Sequence, residues 1–227
     1  MPGSFRPRRD ILPPAQDALW AALAPVAGQG FVLYGGTAIA LRLGHRASID
    51  FDFFSDRPLH QQRLRRALPL LDTSTTLQES PDSLTVITPA ATEPSTGVKI
   101  SFFGAIDFGR VGTPDTTDDG IMQVASLADL MATKLKVILQ RIEAKDYLDI
   151  AAMLASGAEL AHGLAAAKAL FGPSFQPSEC LKALTWFQGG DLADLPDATR
   201  ITLANAASRT RDLPLVHVIA QELSATA

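Results

Sequence analysis

The spacing of apolar and polar positions changes repeatedly along the chain, and each change predicts an element. Pro14 to Ala27 reads as a helix, and the apolar run Phe31 to Tyr34 reads as a strand that Gly35-Gly36 ends in a tight turn. Thr37 then stands as the N-cap of a short helix from Ala38 to Leu43, its hydroxyl placed to accept from first-turn amides. In Ile49-Asp50-Phe51-Asp52-Phe53-Phe54 the alternation has period two, the signature of a strand. Ile49, Phe51 and Phe53 then enter the core. Asp50 and Asp52 project together from the other face, about two rises of ~3.3 Å apart. A helix is expected over Gln61 to Leu71. Three strands follow at Thr75 to Gln78, Leu84 to Thr88 and Val98 to Phe103, linked by a Ser80-Pro81-Asp82-Ser83 turn and a loop rich in Pro and Thr.

From Ser126 onward the pattern is helical, with Ser126 and Asp129 spaced as an N-cap and its N3 acid. Helices are expected at Ser126 to Ile142 and Asp146 to Leu154, and more beyond Glu159, broken at Gly172-Pro173 and Gly189-Gly190. At about 100° per residue the first of these puts Leu127, Met131, Ile138 and Ile142 on one face, with Lys134 and Arg141 in the same stripe. Lys136, Gln140 and Glu143 fall opposite. The expected architecture is α+β: a mixed α/β sheet with flanking helices over residues 1–125, then an all-helical region over 126–227 that completes an active-site cleft.

Composition narrows the class. The 227 residues are 47% hydrophobic and 19% charged, the balance of a globular protein with a core of its own. Cys180 is the sole cysteine, so no internal disulfide forms, and no apolar stretch approaches the ~20 residues of a membrane span. MPGSFRPRRDILPP lacks the apolar segment of a secretory signal, which makes the cytoplasm the expected compartment. A net charge of −4 leaves no general basic excess for nucleic acid. An RNA acceptor needs a local basic surface, for which Arg6, Arg8, Arg9 and Arg63, Arg65, Arg66 are candidates; the plainer alternative is a solvated face. His162 and His217 have no second ligand at zinc spacing, and Cys180 sits in no nucleophile motif. Trp20, Trp186 and Phe187 read as core or docking residues.

The chemistry concentrates between Gly35 and Asp52. Two carboxylates on one strand face repel unless a cation sits between them. Magnesium takes one or two carboxylates together with water and substrate phosphates. The Gly35-Gly36-Thr37 turn opens a helix, and helix N-termini present free amides to anions. Lys134 and Arg141, on an inward face, must snorkel, form a structural ion pair or meet a ligand anion. In the ligand reading, Lys134 is a point charge for a triphosphate and Arg141 a forked donor.

The segments LYGGTAIALRLGHRASIDFDFF and VASLADLMATKLKVILQRIEAKDYLDIAAML cover about a quarter of the chain. They resemble the AbiEii/AbiGii nucleotidyltransferase toxin family of the DNA polymerase β-like superfamily. The resemblance implies a minimal mixed sheet, a nucleoside triphosphate substrate, Mg2+ held by Asp50 and Asp52, and a toxin of a type IV toxin–antitoxin or phage-exclusion system, with RNA as a frequent acceptor and a separately encoded antitoxin. It assigns catalysis to Asp50, Asp52, Lys134 and Asp149. Gly35, Gly36, Thr37, Arg46, Arg141, Lys145 and Asp146 are assigned to substrate. Two departures stand out. A third carboxylate, common on a later strand, is replaced on Val98 to Phe103 by Lys99 and Ser101, with Asp107 the nearest substitute beyond Gly104. The usual Gly-Ser turn is Gly35-Gly36, so a hydroxyl contact falls to Thr37.

A catalytically impaired nucleotide- or partner-binding module of the same fold is the alternative that the missing acid favours. A phosphohydrolase with a nucleophilic first Asp wants an apolar strand where His45-Arg46-Ala47-Ser48 stands. A dinucleotide site wants the full Gly-x-Gly-x-x-Gly, which is absent.

Overall fold

The computed structural model describes residues 3–89 and 97–225. The Pro- and Thr-rich loop expected before Val98 lies largely outside them. The chain divides into two compact units: Met1–Gly109 with Thr113–Ser126 and Ala220–Ala227, and Arg110–Gly112 with Leu127–Ile219.

The first unit is built on one mixed sheet. Its strands are β1 (Ser4–Phe5), β2 (Val32–Tyr34), β3 (Asp50–Phe54), β4 (Thr75–Ser80), β5 (Ser83–Pro89), β6 (Gly97–Phe103), β7 (Asp115–Thr117) and β8 (Gln123–Val124), in the order β1-β7-β8-β2-β3-β6-β5-β4. β3 is central, antiparallel to β2 and parallel to β6. Residues directly opposite share a face, so the register builds the core in rows: Leu33, Phe53, Phe102 and Leu84 in one, Phe51, Ile100 and Val86 in the next. All seven are buried. The other face carries Tyr34, Asp52, Ser101 and Thr85 in one row and Asp50 with Lys99 in the neighbouring one. β4 is exposed throughout and polar apart from Leu77, and its pairing with β5 is interrupted by a bulge, as suits an open sheet edge. β1, β7 and β8 were not expected; with two or three residues each they are too short to show alternation.

Several expected elements are corrected. The Pro14–Ala27 helix splits into α1 (Pro14–Ala18) and a 3-10 segment Ala21–Gln29 that contains Pro25, which has no N–H to donate. Helix α2 (Gly35–Leu43) begins at Gly35, so Thr37 lies inside its first turn rather than capping it. Ile49 precedes β3 and is 66% exposed instead of entering the core. Helix α3 (Gln61–Ala67) stops before Pro69, where a 3-10 turn takes over.

The second unit holds α4 (Leu127–Val137), α5 (Ala144–Ala155), α6 (Leu160–Phe171), α7 (Pro177–Ala183) and α8 (Asp197–Arg209). α4 packs on α6 closely enough that a β-carbon at Gly163 would stand 2.4 Å from Met131 Cγ. The strap Arg110–Gly112 is tied in by its Val111 and Gly112 amides, which donate to the Asp129 carboxylate at 2.7 and 3.2 Å. α4 ends a turn earlier than the apolar stripe predicted: Leu139 and Gln140 donate to Lys136 and Val137 in the tighter i to i+3 pattern. Ile142 therefore leaves the stripe and is half exposed, and Trp186 is likewise exposed.

Candidate active site

Asp50 and Asp52 occupy alternate positions of β3, both half-buried, between buried Phe51 and Phe53. The parallel register sets Lys99 beside Asp50 and Ser101 beside Asp52 on β6. Lys99 Nζ lies 3.1 Å from Asp50 Oδ2, and Ser101 is buried. Asp107 is exposed on the segment after β6, off the row of Asp50 and Asp52.

The glycine turn meets the acids directly. Tyr34 is opposite Asp52, so Gly35 follows at the acid's level. Gly35 has φ +74°, a left-handed conformation that suits glycine, and a β-carbon there would stand 2.7 Å from Asp52 Oδ2. A β-carbon at Gly36 would stand 2.5 Å from an Arg46 Nη. The Arg46 guanidinium thus folds onto the turn, and its other Nη donates to Ala47 O at 2.9 Å. Gly35, Gly36 and Thr37 open α2, so their amides have no earlier helical carbonyl to bond.

Thr37 is buried, and its hydroxyl engages Ser48 Oγ at 2.9 Å and donates to the Asp50 carbonyl. Gln16 Nε2 reaches the same carbonyl at 3.3 Å from α1, while its Oε1 is buried without a hydrogen-bond partner. Sequence reasoning missed Gln16. Its signal was a polar residue at i+4 from Leu12 and i−4 from Trp20, both buried.

In the second unit, Lys134 Nζ lies 2.6 Å from Asp146 Oδ1 and 2.8 Å from Asp149 Oδ2, and both carboxylates are fully buried. Arg141 grips Asp146 with Nε at 2.8 Å and Nη2 at 3.1 Å, its side chain 45% exposed. Burial pushes the Asp146 carboxyl up, but the Arg141 hydrogen bonds and the Lys134 charge outweigh it and hold the group below the usual carboxylate range. Lys145 pairs with Glu143 at 2.7 Å. Cys180 is buried, and burial pushes its thiol up to about 12, far from a nucleophile's range.

The two arginine clusters differ. Arg8 and Arg9 are bound to Asp10 and Asp17 at 2.9 and 2.8 Å. Arg65 approaches Glu79 only at 3.7 Å, and Arg63 and Arg66 line an open cavity of about 470 Å³ with His60, Gln61 and Gln62.

The acid pair suits a hard divalent cation: oxygen donors, open to solvent, next to amides that can take phosphate. Among the described residues no group of three or more His, Cys, Asp or Glu side chains gathers as a metal set. The site thus offers two carboxylates, a number magnesium accepts when substrate supplies further oxygens.

This fold is of the nucleotidyltransferase-toxin class: the chain is similar to MenT4, a nucleotidyltransferase toxin from Mycobacterium tuberculosis H37Rv, with a TM-score of 0.58 and 14% identity over 86% of this chain and 82% of that one. Residues 17–208 match the family described as nucleotidyl transferase AbiEii toxin, type IV TA system, and the chain belongs to that family. It is also 32% identical over 122 residues, 53% of its length, to an uncharacterized protein, aq_aa25, of Aquifex aeolicus (strain VF5). The match spans 55% of that relative's length. No helix among the described residues is long and apolar enough to cross a membrane.

Proposed function

We propose that this chain transfers a nucleotide from a magnesium-bound nucleoside triphosphate to an acceptor hydroxyl, with RNA the favoured acceptor. The observation that carries the reading is the abutment of Asp52 on Gly35, which joins an acid pair to a helix-opening turn. In the transfer the acceptor oxygen bonds to the α-phosphorus as that atom's bond to the pyrophosphate bridge breaks. Pyrophosphate leaves, and the hydroxyl proton passes to water. Magnesium on Asp50 and Asp52 would neutralise phosphate charge. The Gly35, Gly36 and Thr37 amides hold phosphate oxygens, and Arg46 adds a cation at Gly36. From the helical region, Arg141 and Lys145 are assigned to substrate. Lys134, buried between Asp146 and Asp149, is assigned to positioning: it fixes Asp146, which in turn aims the half-exposed Arg141. The cavity at Arg63 and Arg66 supports an acceptor with a phosphate backbone. Triphosphates and RNA are cytoplasmic, where a toxin checked by a separately encoded antitoxin would act.

A second reading, a nucleotide- or partner-binding module with impaired catalysis, is favoured by the Lys99 ammonium paired with Asp50. Incubating the chain with each α-phosphate-labelled triphosphate, Mg2+ and RNA or protein fractions separates the two. Covalent label in RNA is the expected result. Label retained on the chain without transfer would support the second reading, and a chain that neither transfers nor retains label would sink both.

A further inference from the structure

The acid face of β3 carries a fixed positive charge as well as two negative ones. Lys99 stands in register with Asp50 on the neighbouring parallel strand, its ammonium 3.1 Å from Asp50 Oδ2. Adjacent strands lie about 4.8 Å apart, so the register puts the two side chains within reach of one another. The next in-register pair, Asp52 with Ser101, brings a neutral hydroxyl to the other acid. The two carboxylates and the Lys99 ammonium sum to one negative, and the Arg46 guanidinium folded onto Gly36 adds a further cation beside them. A second divalent ion bridging the acids would have to displace or repel the ammonium, because like charges at contact distance disfavour one another.

We infer that Lys99 takes the place of a second metal ion, so that the site works with one divalent cation per bound nucleotide. This rests on the reading of Asp50 and Asp52 as metal ligands. Lys99 is then a positioning residue: it holds one oxygen of the Asp50 carboxylate, Oδ2, and so sets how that carboxylate, together with Asp52, is presented to the nucleotide's own cation. Its exposure of 41% lets the ammonium stay hydrated on one side while it pairs on the other.

Mn2+ titration followed by electron paramagnetic resonance tests the inference, using the full chain with a non-hydrolysable α,β-methylene triphosphate. The wild type should bind one Mn2+ per chain–nucleotide complex. Lys99→Met combined with Ser101→Asp removes the ammonium and adds an acid beside Asp52; it should bind two, with the line broadening of a coupled pair. Two ions in the wild type would overturn the inference while leaving the acid pair as ligands. One ion in a folded double variant would also overturn it, because Lys99 would not then set the count. If the double variant unfolds, the wild-type count alone decides. Should Asp50→Asn with Asp52→Asn bind Mn2+ and nucleotide as the wild type does, the underlying site assignment fails instead.

Discussion

Gly35 leaves the space that Asp52 occupies: a β-carbon at Gly35 would stand 2.7 Å from Asp52 Oδ2, so any other residue there has to displace the carboxylate, and φ there is +74°. Gly35→Ala therefore costs left-handed strain of about 1–2 kcal/mol and also pushes the carboxylate away. Gly157 has φ +100° with nothing within 4 Å of its β-carbon position, so Gly157→Ala incurs the strain alone. Both variants should unfold at lower temperature, and only Gly35→Ala should lose nucleotide transfer. Equal transfer by the two would show that the contact has no functional weight.

Asp52→Asn keeps the shape of the side chain and removes its charge. Transfer should fall by at least ~100-fold, since electrostatic stabilisation by a bound cation is worth several kcal/mol. Thermal unfolding should shift little, because Asp52 is half-buried on an open strand face. Retained transfer in Asp52→Asn would remove the acid from the mechanism.

The Asp50 backbone is pinned from below by the Thr37 hydroxyl and by Gln16. Thr37→Val keeps the volume and deletes the donor, at a cost of about 1–3 kcal/mol for the polar groups left behind. Thr37→Ser keeps the hydroxyl and loses one methyl, about 0.8 kcal/mol. Urea unfolding should rank the Ser variant above the Val variant, and nucleotide transfer should follow the same order. Indistinguishable variants would mean that the hydroxyl does not position Asp50.

Period-two alternation made the shared face of Asp50 and Asp52 legible, because side-chain direction in a strand depends only on parity. The neighbour of Asp50 was not legible in the same way: Lys99 is distant in sequence, and its register with β3 is set by tertiary pairing. Thr37 was read as an N-cap from its residue type, yet Gly35 already adopts helical hydrogen bonding and Ser48 and Asp50 compete for the hydroxyl. Arg141 was placed on a wheel that ran past the end of α4, so its pairing with Asp146 arises from the turn into α5. The sheet order depended on β7 and β8, which are too short to carry a pattern.

Lys134 holds two fully buried carboxylates, and its removal should show a distinctive pH dependence. In the wild type the folded Asp146 titrates below its ordinary range. Its stabilising contribution is therefore complete above the unfolded value near pH ~4 and is lost as pH falls through the lower folded value. Lys134→Met leaves Asp149 without this partner and Asp146 with Arg141 alone, which should cost about 3–5 kcal/mol at pH 7. Burial then acts on Asp146 with less opposition and its carboxyl pKa rises, so protonation relieves the variant as pH falls. The stability gap between Lys134→Met and wild type, measured by urea unfolding, should narrow from pH 7 to pH 4. A gap that stays constant over that interval would mean that the lysine acts through packing and not through its charge.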